Sequence, residues 1–162
     1  MNQELASIKI GLALVLLCLS FGIGMGITFG INEDMYKDRI AEQVAANPTV
    51  HSERSESGIW RYAQRAHFHA TGIAAFSLGL VILLMFADMG AGRKKLASIL
   101  IGLGGLYPLA WFNMYLVAPS IGRGAAHDHI LTEMFTYIGV GGLVLGMAML
   151  MANLFFGLFS KA

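Results

Sequence analysis

"AHFHATGIAAFSLGLVILLMFA", residues 66–87, decides the fold. No Asp, Glu, Lys or Arg interrupts it, and it reaches the roughly 20 residues that a helix needs to cross a bilayer. Three further apolar blocks lie at about 10–31, 96–118 and 130–159. In lipid only helices or closed barrels satisfy the backbone, and uninterrupted runs of this length mean helices. The composition agrees. Of 162 residues, 56% are hydrophobic and 13% charged, against about 25% charged in soluble domains.

The expectation is therefore an all-α integral membrane protein with a single transmembrane domain over residues 1–162. The connections "DMGAGRKK" and "PSIGRGAAHDH" are short, which makes consecutive helices antiparallel neighbours in an up-down four-helix bundle. The outer loop, 32–65, is too long for a plain connector. Within it "EDMYKDRIAEQVAAN" has Met35, Ile40 and Val44 at near-helical spacing, with Pro48 as a stop. That pattern predicts a short interfacial helix. "IWRYAQRAHFHA" then reads as an aromatic and arginine anchor running into the second span.

The first block exceeds the 7–15 residues of a signal-peptide core and reads as a retained helix. Cys18 is the single cysteine, so no intrachain disulfide forms. Pro108 predicts a kink in the third span.

Net charge is +1, and no basic run exceeds Arg93, Lys94 and Lys95. Nothing in that pattern suits nucleic acid. Lys9 and Lys161 fall on the same side as this run, whereas Lys37, Arg39, Arg54, Arg61, Arg65 and Arg123 are spread over the longer opposite segments. The density of basic residues predicts cytoplasmic termini. In a bacterial inner membrane the five histidines then lie on the periplasmic side.

Those histidines are the chemically informative residues. His67 and His69 are expected to open the second helix, and His127 and His129 the fourth, with His51 as a polar anchor in the loop. Residues two apart point about 200° apart on a helix, so each pair aims its rings in different directions. His67 shares its face with the small residues Ala63, Ala70, Thr71 and Ala74, and His69 with Arg65 and Gly72.

Glu133 lies about one turn into an apolar span, where an ionisable residue is costly and marks a functional candidate. It follows His129 by four positions, a spacing at which the carboxylate can accept the ring N–H and orient a ligating imidazole. Glu133 is also the candidate proton acceptor.

One reading places haem b between helices two and four, with His69 and His129 as axial ligands and His67 and His127 as the alternative pair. Arg65 and Arg61 would pair with the propionates. Gly22, Gly26 and Gly30 on the first span, with Gly142 and Gly146 on the fourth, would either admit a flat macrocycle or let helices pack closely. The other reading is a direct metal site on the same four histidines. There Met35, Met114 and Met134 would favour copper over zinc.

With "HFH" and "HDH" opening the second and fourth spans at one level, the chain resembles small four-helix membrane cytochromes b. The resemblance rests on architecture and spacing. It implies a b-type haem redox protein or electron-transfer subunit of an oxidoreductase that exchanges electrons with quinone, alone, as a homo-oligomer or with other membrane subunits. The best-known members also place ligands deep in the helices or at both membrane faces, a pattern this chain lacks. A third reading is an accessory subunit of a larger complex, its glycine-rich faces packing on partners and its histidines anchoring an interface.

Overall fold

The computed structural model describes residues 2–160. The protein is all-helical: α1 Asn2–Asn32, α2 Asp34–Ala46, α3 Ser55–Phe86, α4 Ala91–Leu103, α5 Leu106–Ile121, α6 Arg123–His127 and α7 Ile130–Phe156, with a 3₁₀ turn at Pro48–Val50. Four stretches are long and apolar enough to cross a membrane: Glu4–Asn32, Ser55–Phe86, Ala91–Ile121 and Ile130–Phe156. Their outward faces carry large apolar side chains such as Leu17, Phe86 and Phe155, as lipid-facing surface requires. Lys161, used above for orientation, lies outside the described residues.

Two boundaries move the histidines. The segment expected to anchor the second span is itself helical, because α3 begins at Ser55. His67 and His69 therefore sit about 18 and 21 Å along α3, at 1.5 Å per residue, instead of at its start. His129, by contrast, is the residue just before α7.

The third span is two helices. Its break falls at Gly104–Gly105, four residues ahead of Pro108. Pro108 has no N–H for the Gly104 carbonyl, which instead accepts from Tyr107 N at 3.1 Å. Pro108 itself then occupies the first turn of α5, where a missing N–H is tolerated.

This broken span runs through the middle of the fold. α1 packs on α3 and α4, α3 on α1 and α5, and α7 along α4 and α5. Packing in lipid relies on close van der Waals contact, which small residues permit. At the α1–α4 crossing a Cβ on Gly11 would lie 2.1 Å from the Ser98 carbonyl oxygen. On α7 a Cβ on Gly139 would lie 2.7 Å from Tyr107 N, and one on Gly146 would lie 2.8 Å from Ile101 N. Gly139, Gly142 and Gly146 of α7 therefore serve contact with the third span.

Polar contacts close both ends. At the end away from the histidines Lys94 is 2% exposed. It donates to the Glu4 carboxylate and, at 3.0 Å, to the Met85 carbonyl at the end of α3. At the other end the segment 33–51 is strapped over α5. Arg39 donates to the Leu116 carbonyl at 3.2 Å, His51 to the Pro119 carbonyl at 2.8 Å, and Ser120 to Gln43 at 3.3 Å. Cationic and N–H donors suit the exposed carbonyls of a helix C-terminus. Tyr36 and Ile40 bury the strap's inner face. On its outer face Lys37 pairs with Glu33 at 2.9 Å, and that contact pushes the ammonium pKa above the ordinary lysine value.

Candidate functional site

The two histidines of α3 face opposite directions, and specific contacts hold both. His67 turns toward α1, where its Nδ1 lies 2.8 Å from the Gly22 carbonyl oxygen. A carbonyl only accepts, so Nδ1 carries a proton, and in the neutral ring Nε2 then keeps its lone pair. The ring fits because Gly26 has no side chain; a Cβ there would come within 2.7 Å of His67 Cε1. Phe29 and Phe68 stand against the ring at 5.7 and 5.3 Å between centroids. The small residues beneath His67 also face α1. A Cβ on Gly22 would lie 2.9 Å from Thr71 Cγ2 and 3.0 Å from Ala70 Cβ. Gly22 and Gly26 thus accommodate His67 and its own helix.

His69 turns toward α5. Its ring stacks on Trp111, with centroids 5.7 Å apart and planes 19° apart, and meets Tyr107 edge-on at 5.0 Å. The Arg65 guanidinium lies 4.7 Å from the Trp111 ring centroid, a cation–π contact. Arg61 is exposed.

His129 does a helix-capping job. Its backbone is extended, and Nδ1 accepts from Leu131 N at 3.3 Å. Asn113 reaches the same nitrogen at 3.3 Å and Thr132 Oγ1 at 2.9 Å, while Thr132 donates to the Ala126 carbonyl. Asn113 therefore ties α5 to the α6–α7 elbow. The expected contact between the His129 ring and Glu133 is replaced by this cap, because the ring turns back over the exposed N–H groups at the helix start. His127 is exposed, with Nδ1 3.7 Å from Asp128 Oδ1.

The structure does not bring His69 and His129 to a common gap. His69 meets α5 through Tyr107 and Trp111, and His129 meets it through Asn113, which lies about 200° around the helix from Trp111. Among the described residues no group of three or more His, Cys, Asp or Glu side chains is placed to hold a metal ion. Met35 and Met134 are exposed, whereas Met114 is buried.

Between α5 and α7 a cleft of about 140 Å³ opens beside Trp111, lined by Tyr107, Trp111, His127, Glu133, Thr136 and Tyr137 among others. From sequence His127 and Glu133 stand out, whereas Tyr107 and Trp111 do not. Their spacing of four, matched by Glu133 and Tyr137 on α7, was the available signal.

No family model matches the chain. No curated protein or solved structure matches it either. Its own side chains carry the functional argument.

Proposed function

We propose that the protein is an integral membrane electron-transfer subunit in which His67 ligates the redox group, a b-type haem, through Nε2. One observation carries this reading. The Nδ1–H of His67 donates to the Gly22 carbonyl at 2.8 Å, the arrangement that fixes tautomer and ring orientation in ligating histidines. A histidine serving only as a headgroup anchor has no need of a glycine beneath its ring. Phe29 and Phe68 supply the apolar surroundings that tune such a site.

A bound haem would supply one-electron exchange at a potential set by its axial ligands and their hydrogen bonds. The chain's part is to hold the imidazole and raise its basicity through the Gly22 carbonyl. His69, packed between Tyr107 and Trp111, orders α5 beside it and stiffens the outer half of the fold. Quinone as electron partner, a bacterial inner membrane with cytoplasmic termini, and association with other membrane subunits or a second copy belong to the same proposal.

The test is a reduced-minus-oxidised difference spectrum of the purified protein. Soret and α bands are expected, lost in His67→Ala and kept in His129→Ala. Bands indifferent to His67→Ala would overturn the assignment. Stoichiometric copper without those bands would replace haem by a copper site. Neither, with co-purification in a large complex, would make the chain an accessory subunit.

A further inference from the structure

The cleft between α5 and α7 sets the Glu133 carboxylate beside aromatic rings, a pairing that the electron-transfer reading does not use. Tyr107 and Trp111 stand 6.2 Å apart between centroids with their planes at 82°; His69 packs on both from the α3 side, and the cleft takes their α7 side. From α7, Glu133 and Tyr137 face it one helical turn apart, with Thr136 between them. Glu133 is half-buried, and among the described residues no hydrogen bond or ion pair reaches its carboxylate. Neither neighbouring guanidinium pairs with Glu133. Arg65 lies on Trp111 from the α3 side, and Arg123 reaches the Tyr62 hydroxyl at 3.4 Å.

Glu133 lies in the first turn of α7, where the helix dipole favours a negative charge, and its carboxylate is left free to meet a cation in the cleft. Aromatic faces attract cations, and aromatic walls with a carboxylate are how proteins recognise organic ammonium groups. The volume, about 140 Å³, is below the roughly 300–1,000 Å³ of pockets for drug-sized ligands, so it admits a small head. His127 sits at the rim and is exposed, leaving the mouth open to water or to lipid headgroups.

We infer that this cleft binds a small organic ammonium ion, with Glu133 as counter-ion and Tyr107, Trp111 and Tyr137 as walls. The same chemistry is offered by a free quaternary or primary amine and by a choline or ethanolamine headgroup of the surrounding bilayer. The inference is independent of the haem proposal, because binding is read without any redox group.

Tryptophan fluorescence tests it in a Trp60→Phe background, where Trp111 is the chain's single tryptophan, in nanodiscs of phosphatidylglycerol with a tryptophan-free scaffold. Choline and tetramethylammonium are expected to change the emission saturably, while sodium chloride and 3,3-dimethyl-1-butanol, the neutral isostere of choline, are not. Glu133→Gln should weaken binding roughly tenfold or more, as loss of a charged partner does. Absence of saturation, equal binding of the neutral isostere, or an unchanged affinity in Glu133→Gln would overturn the site. Adding phosphatidylcholine to the nanodisc separates the two sources. Weaker apparent choline binding then identifies the headgroup as occupant, and unchanged binding identifies a free ammonium.

Discussion

His67 and Gly26 form one unit. The ring occupies the space that a side chain on Gly26 would take, since a Cβ there lies 2.7 Å from Cε1. Gly26→Ala is therefore expected to push the ring off the Gly22 carbonyl and cost about 1–3 kcal/mol, the usual penalty for overpacking. Gly24→Ala, whose Cβ meets nothing within 4 Å, should be neutral or stabilising by up to about 1 kcal/mol through helix propensity. Thermal unfolding in detergent compares the two, and equal losses would sink the claim. His129→Ala removes an N-cap and should cost about 0.5–2 kcal/mol. His127→Ala, at an exposed position, should stay within about 0.5 kcal/mol of the parent. At this scale the sequence revealed that His67 and His69 diverge by about 200°. It did not reveal which ring meets which helix, because Ala63, Ala70 and Ala74 suit a packed α1 as well as a cofactor.

The elements show where a sequence pattern misleads about position while being right about type. The apolar runs located all four spans. The aromatic and arginine segment before 66 nevertheless joins α3, because amphipathic residues such as Tyr62 bury one side, at 6% exposure, while Arg61 and Arg65 stay outside. Pro108 pointed to an irregular third span, yet the break falls a turn earlier, at the two glycines, where the Gly104 carbonyl accepts from Tyr107 N instead. α1, α3 and α4 are clasped at one end by Lys94, which bonds both Glu4 and the Met85 carbonyl. Lys94→Ala is expected to lose roughly 1.5–3 kcal/mol, the worth of hydrogen bonds to a charged group. Lys95→Ala, next door and exposed, is the control and should change little. Chemical denaturation followed by near-UV circular dichroism reads both, and indistinguishable curves would remove the clasp from the account.

Over the whole molecule, a central broken span packs against the other three, and the strap 33–51 is fastened to the α5 carbonyls. Arg39→Ala combined with His51→Ala is expected to speed protease cleavage within 33–54 while the four spans stay protected. Unchanged cleavage would mean that Tyr36 and Ile40 hold the strap without those bonds. The apolar runs alone were enough to indicate four membrane-crossing helices, because bilayer thickness dictates the length of such a run. The long-range pairing of His67 with Gly22, and the cleft shared by α5 and α7, depend on helix rotation. An all-round apolar helix does not encode rotation in its hydrophobic pattern. The account rests most heavily on the state of the His67 ring, which ¹⁵N solid-state NMR of the protein in lipid reads directly. It predicts a ring whose Nδ1 proton is held by the Gly22 carbonyl, so that the neutral form is the Nδ1–H tautomer, and a shift of its Nε2 when the redox group binds. A neutral ring protonated at Nε2, or one averaging freely between tautomers, would contradict it.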